Sequence, residues 1–217
     1  MKSFLLIGIG KFGRTLGEKM LSMGDEVTIV DKNEDVINAL APKYTNSFIV
    51  NCMNIDSLRL MDIPSYNACI VAISDDFQAS LEITSNLKDL NAKKIISRAA
   101  TEIQSKFLLR VGADEVIYPD RDIAEKLAVR LNSTNVINYI DLDSEYSIFE
   151  IACPTRWAGK KLIDIDPRKK HGMNILTVKK EGAVLYTLDP DYVFEKKDQL
   201  VVFGHTETIL EFTNRVK

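Results

Sequence analysis

The stretch "FLLIGIGKFGRTLGEKM", residues 4–20, decides the fold. It consists of an apolar run, a turn rich in glycine and a segment with helical spacing. Gly8, Gly10 and Gly13 form the pattern G-x-G-x-x-G directly after a predicted strand. In such a turn the first glycine permits the tight bend, the second lets the backbone approach a pyrophosphate, and the third lets helix and strand pack closely. The pattern therefore predicts a phosphate-bearing ligand at the helix N-terminus, where free N–H groups and the helix dipole favour an anion.

A carboxylate follows the next predicted strand, at the position where the ribose of an adenosine nucleotide would bind. The strand "EVTIVD" ends at Asp31, 18 residues beyond Gly13, and a carboxylate there accepts hydrogen bonds from ribose hydroxyls. Its negative charge disfavours a 2′-phosphate, so NAD, NADH, ADP, ATP or AMP fit the pattern better than NADP. The alternative is a glycine turn kept for packing alone.

Three cations are expected near this turn. Lys11 lies inside it, Arg14 lies in the first turn of the helix, and Arg98 follows the strand "KIIS", at the sheet edge where ligands of such folds bind. Backbone amides largely serve the two phosphates of a dinucleotide, so additional cations suit a ligand with a third phosphate. Solvated surface charge is the alternative for each of them.

Short apolar strands alternate with helical patterns through the first two thirds of the chain. Such strands, separated by helices, indicate a parallel sheet covered on both faces and joined by right-handed crossovers. The predicted fold class is therefore α/β, a Rossmann-like doubly wound parallel sheet. The predicted strands are 3–8, 26–30, 47–50, 68–73, 94–97 and 115–117, and the predicted helices are 12–23, 34–40, 55–61, 77–90, 103–111 and 122–131.

The pattern changes near residue 140, where a small α+β domain is predicted. A polar break at 132–135 separates it from the last helix of the first part. It consists of a strand ("YSIFEIAC"), a short helical piece ("GKKLIDIDPRKKHG"), a hairpin ("NILTVKKEGAVLYTL") with Glu-Gly at its turn, another strand ("QLVVFGH") and a last helix ("TETILEFTNRVK"). We therefore expect a nucleotide-binding domain at 1–139 and a C-terminal domain at 140–217.

Composition and charge argue against several classes of protein. Hydrophobic residues make up 46% and charged residues 27% of the chain, as in ordinary globular proteins, and the net charge of −3 disfavours nucleic-acid binding through a broad basic surface. The longest apolar runs have the length of strands, so neither a membrane span nor a secretion signal is expected. Cys52, Cys69 and Cys153 share no CxxC spacing, and we expect them to be small core residues in a reducing cytosol.

Catalytic groups for nicotinamide chemistry are scarce in the sequence. The two histidines, His171 and His205, lie in the predicted second domain, and no HExxH, GxSxG or Cys–His metal spacing occurs. The stretch "YVFEK", residues 192–196, has the Tyr-x-x-x-Lys pattern of short-chain dehydrogenases but lies between predicted strands of the other domain. We therefore expect that the protein is not an enzyme, with an NAD-dependent oxidoreductase as the alternative.

Four stretches resemble the RCK (regulator of potassium conductance) family, specifically its cytosolic gating subunits of the KtrA/TrkA type. They are "IGIGKFGRTLGEKM", "VAISDDFQASL", "LLRVGADEVIYPDRD" and "NVINYIDLDSEYSIFEI". The second domain is similar to the small C-terminal domain of that family, through "DPRKKHGMNILTVKKEG" and "DQLVVFGH". The resemblance covers nearly the whole chain, and its motifs occur in the family's order.

The resemblance implies a regulatory subunit without catalytic chemistry. Such proteins form homodimers and then homo-octameric rings, cytoplasmic and peripheral at the inner face of the membrane, beneath a potassium-translocating subunit of the KtrB or TrkH kind. ATP and ADP, or NAD and NADH in some members, stabilise different ring shapes, and the ring opens or closes the pore. A stand-alone nucleotide sensor with another partner is a third interpretation.

The resemblance also assigns roles to residues by motif position. Lys11, where relatives often carry Arg, is implied to reach the terminal phosphate bound by a neighbouring subunit. Asp120, often Glu in the family, is implied to help place Mg²⁺ or Ca²⁺ beside that phosphate; the alternative is an N-terminal cap for a helix from Ile123. The residues implied to bind the nucleotide are Gly8, Gly10, Lys11, Phe12, Gly13, Asp31, Lys32, Asn51, Cys52, Ser74, Asp75 and Arg98.

A second ligand is implied for the C-terminal domain. In some KtrA-type relatives these domains pair and bind cyclic di-AMP at their interface. Arg168, Asn174 and Ile175 occupy the comparable region of this chain. The basic run there would suit two phosphates, and the alternative is solvated charge.

Overall fold

The computed structural model describes residues 1–133, 135–185 and 188–215. Contacts between residues divide the chain into two compact units, Met1–Asp120 and Arg121–Lys217. This division falls inside a helix, Pro119–Asn132, whereas the boundary expected from the sequence, at 139/140, follows that helix. The assignment of 1–139 and 140–217 as domains stays a prediction.

The first unit is built on a parallel sheet with helices between its strands. The strands are β1 (Ser3–Ile7), β2 (Glu26–Asp31), β3 (Asn46–Ile49), β4 (Ala68–Val71), β5 (Ile95–Arg98) and β6 (Glu115–Ile117). The helices are α1 (Lys11–Ser22), α2 (Glu34–Leu40), α3 (Ile55–Arg59), α4 (Phe77–Asp89), α5 (Glu102–Val111) and α6 (Pro119–Asn132). The strand order β3-β2-β1-β4-β5-β6 reverses between β1 and β4, which is the topological switch point of a doubly wound sheet. The predicted fold class is confirmed.

The sheet is buried on both faces. Leu5 and Leu6 are neighbours in β1 but belong to different core clusters, because successive side chains of a strand point to opposite faces. Leu5 packs in the cluster that contains Leu87 of α4, and Leu6 packs in the cluster that contains Ile37 of α2. Each such buried side chain contributes about 1.5–3 kcal/mol relative to an exposed one.

Capping residues set the ends of several helices. The side chains of Asn33, Asp76 and Thr101 accept backbone N–H bonds at the starts of α2, α4 and α5. Gly24 and Gly112 follow α1 and α5 with φ of 84° and 123°, a conformation that favours glycine at a helix C-terminus. The main difference from the prediction is α6, which begins at Pro119 rather than at residue 122, since proline is well suited to the first helical position.

The second unit contains an antiparallel sheet of five strands. They are β7 (Val136–Asp141), β8 (Tyr146–Ala152), β9 (Met173–Lys180), β10 (Ala183–Val184) and β11 (Gln199–His205), in the order β10-β9-β11-β8-β7. Glu181 and Gly182, with φ of 50° and 84°, join β9 to β10, so the predicted hairpin and its turn are confirmed. The sequence does not predict β7, because an irregularity between Val136 and Asn138 breaks its period-two pattern.

The helices of the second unit are α7 (Leu162–Ile165), α8 (Pro167–His171) and α9 (Thr206–Arg215). The single helical piece predicted here is two helices, because Asp166 adopts φ of 45° and the residue before a proline is disfavoured in a helix. Residues 186–187 of the predicted hairpin and 216–217 of the predicted last helix lie outside the described residues. Within the described part of the chain, no helix has both the length and the apolar character needed to cross a membrane.

Candidate functional site

The glycine turn joins the end of β1 to the start of α1. Gly8 adopts φ of 90°, and its N–H donates to the carbonyl of Val30 at 2.9 Å. A Cβ added to Gly8 would lie 2.7 Å from Cγ1 of Ile73, and one added to Gly13 would overlap the carbonyl oxygen of Gly8. The first and third glycines of the motif are therefore required by the fold itself.

Gly10 is the N-cap of α1 and differs from the other two glycines. Its φ of −71° and ψ of −169° are open to any residue, and a Cβ built on it meets no atom of the described residues within 4 Å. No side chain of the described residues caps α1, so the N–H groups of its first turn are available to a ligand. The absence of a side chain at Gly10 keeps this space open, as phosphate binding requires.

Asp31 ends β2 beside the glycine turn. Its Oδ2 accepts from the backbone N–H of Ile9 at 2.8 Å, and its Oδ1 accepts from the N–H of Asn33 at 2.9 Å. The carboxylate is thereby tied to the turn, and each oxygen retains a lone pair for a ribose hydroxyl. Asp31 can orient the turn and present acceptors to a ligand at the same time.

Residues at the end of β3 lie next to Asp31. The N–H of Val50 donates to the carbonyl of Asp31 at 3.0 Å, which brings Asn51 to this part of the site, whereas Lys32 is exposed. Cys52 is buried, and burial together with the negative charge of Asp31 raises the pKa of its thiol to about 12. Any contact of Cys52 with a nucleotide would therefore come from its backbone.

All three cysteines are free and buried. Burial raises the pKa of Cys69 to about 12, and burial with the charge of Asp198 does the same for Cys153. The prediction that the cysteines are small core residues is confirmed.

Ser74 and Asp75 follow β4, close to the glycine turn because the neighbouring Ile73 packs against Gly8. The hydroxyl of Ser74 donates to Oδ1 of Asp75 at 2.6 Å. The next residue, Asp76, accepts from the N–H of Ala79 at 3.0 Å and caps α4. Ser74 and Asp75 thus stand at the carboxyl edge of the sheet, where a base or ribose would be contacted.

Arg98, at the end of β5, joins two other residues of the predicted site. Its Cζ lies 5.4 Å from the centroid of the Phe12 ring, and its Nη2 donates to Oδ2 of Asp120 at 3.3 Å. The Arg98 side chain is 17% exposed and that of Asp120 is 71% exposed. Asp120 lies in the first turn of α6, which begins at Pro119, so its alternative role as the cap of a helix from Ile123 is wrong.

Lys11 and Arg14 lie in the first turn of α1, but only Arg14 is attached to the glycine turn. Its Nε donates to the carbonyl of Ile9 at 3.2 Å. This hydrogen bond ties the first turn of α1 to the glycine turn. Lys11 is exposed. A cation in this position can reach a ligand or a second molecule without first breaking a contact with the turn.

The acidic residues near the turn can supply few ligands to a metal ion. The described parts of the chain contain no group of three or more His, Cys, Asp or Glu side chains able to hold a metal ion. A divalent cation at Asp120 would have that carboxylate from this chain, with phosphate oxygens and waters as its other ligands. This is the usual arrangement for Mg²⁺ beside a nucleotide, so the residues present fit it.

A pocket of about 630 Å³ lies in the second unit. Arg168 on α8 and Asn174 and Ile175 on β9 line it together, so the three residues implied to bind cyclic di-AMP do meet at one cavity. Its other lining residues are Leu162, Ile163, Asp166, Pro167, Lys169, Met173 and Pro190.

His171 follows this basic run but belongs to an aromatic cluster. Its ring centroid lies 5.5 Å from that of Trp157 and 5.0 Å from that of Phe212. Burial, followed by the charges of Arg156 and Lys170, lowers the pKa of His171. The half-buried imidazole packs on two aromatic rings, and its lowered pKa disfavours the charged form that would bind an anion.

The sequence did not predict one contact that shapes the candidate nucleotide site, the contact between Gly17 and Tyr44. A Cβ on Gly17 of α1 would lie 2.7 Å from the hydroxyl of Tyr44, and that hydroxyl donates to the carbonyl of Arg14 at 3.5 Å. Gly17 therefore lets Tyr44 reach the helix and hold its first turns. The G-x-x-x-G spacing of Gly13 and Gly17 was the available signal.

Comparison with known proteins gives a two-part match. The TrkA-N domain model matches residues 4–119 and the TrkA-C domain model matches residues 147–217. Ktr system potassium uptake protein A of Bacillus subtilis (strain 168) is 37% identical over 213 residues, which cover 98% of this chain and 96% of that protein. Ktr system potassium uptake protein C of the same organism is 33% identical over 215 residues, covering 99% and 97%.

Solved structures share the fold. The GsuK channel matches with a TM-score of 0.73 at 20% identity, over 98% of this chain, and the chain spans only 39% of the length of that channel. The GsuK RCK domain matches with a TM-score of 0.70 at 19% identity, over 99% of this chain and 48% of that one. With a TrkA-N domain, a TrkA-C domain and full-length relatives among the Ktr system potassium uptake proteins, the chain belongs to the RCK family.

Proposed function

We propose that the protein is a nucleotide-sensing regulatory subunit that gates a membrane potassium uptake channel of the Ktr or Trk type. The observation that carries the proposal is the match over nearly the full length of both chains to Ktr system potassium uptake protein A. The partner is then a membrane potassium-translocating subunit, of the KtrB or TrkH kind, and not a nucleic acid. The protein would be cytoplasmic and held at the inner face of the membrane through that subunit.

The ligand class follows from the glycine turn and Asp31. The open space at Gly10 suits a phosphate, and the oxygens of Asp31 suit a ribose that lacks a 2′-phosphate. GsuK has been solved bound to NAD and bound to ADP. ATP and ADP, or NAD and NADH, are accordingly the ligands that we propose.

The nucleotide acts as a signal rather than a reactant in this proposal. The one Tyr-x-x-x-Lys pattern that suggests a dehydrogenase begins at Tyr192, whose hydroxyl donates to Oδ2 of Asp198 at 2.8 Å. Burial and this hydrogen bond raise the pKa of Tyr192, whereas a catalytic tyrosine needs a pKa closer to neutrality. The alternative of an oxidoreductase predicts steady turnover of NADH, which a sensor lacks.

Self-association into a homodimer and then an octameric ring is part of the proposal. Helix α6 exposes Ile123, Leu127 and Leu131 by 65%, 42% and 76%, at i, i+4 and i+8 along one face. Helix α5 likewise exposes Ile103 and Phe107. Apolar stripes of this kind mark interaction surfaces, and a second copy of the chain is the partner that the ring requires.

Gating would then be a population shift between two ring shapes. A nucleotide changes the ring only as far as it binds one shape better than the other. The third phosphate of ATP would attract Lys11 of a neighbouring subunit, and Asp120 would help to hold Mg²⁺ or Ca²⁺ beside that phosphate. ADP lacks this link, so the two nucleotides favour different shapes.

Cyclic di-AMP is proposed as a ligand of the second unit. The pocket lined by Arg168, Asn174 and Ile175 supports this, because it combines the guanidinium of Arg168 with an amide and an apolar wall, and Lys169 and Asp166 also line it. Two copies of this pocket facing each other would supply two guanidinium groups for the two phosphates.

Calorimetric titration with ATP, ADP, NADH and cyclic di-AMP, with and without Mg²⁺, tests these assignments. We expect adenosine nucleotides to bind, with ATP favoured when Mg²⁺ is present. Asp31→Ala should weaken nucleotide binding and leave cyclic di-AMP unaffected, whereas Arg168→Ala should do the reverse. Steady oxidation of NADH with a small substrate would indicate an oxidoreductase. Nucleotide binding without restoration of potassium uptake, in cells that express the channel subunit alone, would indicate a sensor with another partner.

A further inference from the structure

We propose that Arg98 is shared between Asp120 and the phosphate of the bound nucleotide, so that phosphate binding releases Asp120 from β5. The proposal rests on the nucleotide site described above and adds a competitor inside that site. When no phosphate is bound, the carboxylate of Asp120 would take the place of the phosphate on Arg98.

The guanidinium of Arg98 lies close to the glycine turn. It lies over the ring of Phe12 at 5.4 Å, and Phe12 is between the second and third glycines of the turn. β1 and β5 run parallel and end at the same edge of the sheet. The guanidinium therefore stands next to the backbone that would receive the phosphate.

The guanidinium of Arg98 is incompletely paired. Its Nε is buried and has no hydrogen-bond partner among residues 1–133, 135–185 and 188–215. A buried N–H without an acceptor is unfavourable. An incoming anion that offers an oxygen to Nε removes this deficit, which Asp120 does not do in the observed geometry.

The existing ion pair between Arg98 and Asp120 is weak. The distance from Nη2 to Oδ2 of Asp120 is 3.3 Å, whereas charge-assisted bonds are usually about 2.7–2.9 Å long. The contact is single, and the Asp120 side chain is 71% exposed, so water can replace Arg98 at little cost. A phosphate group can accept from the guanidinium at two nitrogens, which is the geometry that arginine favours.

Release of Asp120 would act on α6. Asp120 is the last residue of the first compact unit and lies in the first turn of α6, which continues into the second unit. The same helix carries the exposed stripe of Ile123, Leu127 and Leu131. Occupation of the phosphate site would thus be transmitted to the start of the helix that presents this stripe.

Calorimetric titration of ADP and adenosine in EDTA, with Asp120→Asn, tests the exchange without interference from a metal ion. If Asp120 competes with phosphate for Arg98, ADP should bind about two- to fivefold more tightly to the variant, the range that corresponds to an exposed ion pair. Adenosine, which has no phosphate, should bind as it does to the wild type. The matched control is Asp122→Asn, which removes another exposed carboxylate from the same turn. Unchanged ADP affinity in Asp120→Asn would overturn the proposal.

The same titration in an Arg98→Met background separates exchange from simple repulsion. Methionine retains the apolar stem without the charge, and here Asp120→Asn should no longer tighten ADP binding. Arg98→Lys provides a second background, because it keeps the charge but loses the two parallel N–H donors of the guanidinium. Thermal melting verifies that each variant is folded. An equal gain from Asp120→Asn with and without Arg98 would mean that the carboxylate merely repels the phosphate. Failure of the wild type to bind ADP would count against the proposed function itself.

Discussion

Gly10 and Gly13 belong to one motif, yet the structure requires glycine at only one of the two positions. A Cβ at position 13 would overlap the carbonyl oxygen of Gly8, whereas a Cβ at position 10 would extend into open space. Gly13 therefore serves the packing of α1 on the turn, whereas the space at Gly10 is left to the proposed ligand. Folding and binding can be separated by changing one glycine at a time.

The substitutions Gly13→Ala and Gly10→Ala should accordingly give opposite results. Gly13→Ala should lower the free energy of unfolding by about 1–3 kcal/mol, the usual cost of overpacking. Gly10→Ala should change it by less than about 0.5 kcal/mol but weaken ADP binding at least about tenfold, since its methyl group occupies the phosphate position. Urea unfolding and calorimetric titration provide the two measurements. Wild-type ADP affinity in Gly10→Ala would contradict the placement of the phosphate.

At the residue scale, the sequence was most informative where the backbone determines the outcome. Asp31 follows from strand length and motif spacing, and the structure places it beside the turn through Ile9. The pairing of Arg98 with Asp120 does not follow from the sequence, because the residues are 22 positions apart and meet only once β5 and α6 are folded. Contacts between side chains of distant elements depend on packing that periodicity does not reveal.

At the element scale, apolar strands bounded by turn residues were easy to predict, and irregular elements were not. β4 is buried at every position, which is the pattern of a central parallel strand. β7 is buried only at Val136 and Tyr139, so it has no alternation that would identify it. A local irregularity is enough to conceal a strand even when its partner, β8, is the next strand in the sequence.

Helix α6 is weakly supported by the rest of the chain, because no residue from Pro119 to Asn132 is fully buried, although the half-buried Val129 packs against the core of the second unit. A helix of this length with so little tertiary packing is marginal in water. We therefore expect the exposed stripe of Ile123, Leu127 and Leu131 to pack against another surface, and the proposed second copy of the chain would supply it.

Replacement of Leu127 by Gln should weaken self-association, because a polar amide on the stripe opposes burial of that face. We expect a shift toward monomer in sedimentation velocity at micromolar concentration, and a larger shift when Ile123→Gln is added. Glu125→Gln is the matched control. It introduces the same side chain, but on the opposite side of the helix from the stripe. Equal effects of the Leu127 and Glu125 substitutions would contradict the role of the stripe.

At the scale of the whole molecule, two units with separate cores give the two proposed ligands separate sites in one chain. The core around Leu5 and Leu6 supports the glycine turn, and the core around Phe149 and Trp157 supports the pocket of the second unit. The sequence predicts most helices and strands of each unit, because local periodicity is sufficient to identify them. It does not predict how copies of the chain assemble, which depends on exposed surfaces such as that of α6.

The substitution Lys11→Ala tests how nucleotide binding controls the assembly. Lys11 is exposed at the start of α1, so its removal should leave the fold and most of the ADP affinity intact. If Lys11 contacts the third phosphate in a neighbouring subunit, the preference for ATP over ADP should fall at least about fivefold, in line with the loss of a charge-assisted contact. The difference in ring shape between the two nucleotides, measured by small-angle scattering, should narrow together with ATP-dependent potassium flux. Lys19→Ala, at the other end of the same helix, is the control and should change neither. A Lys11→Ala protein that keeps the full ATP-dependent change of ring shape would show that the third phosphate acts through other residues.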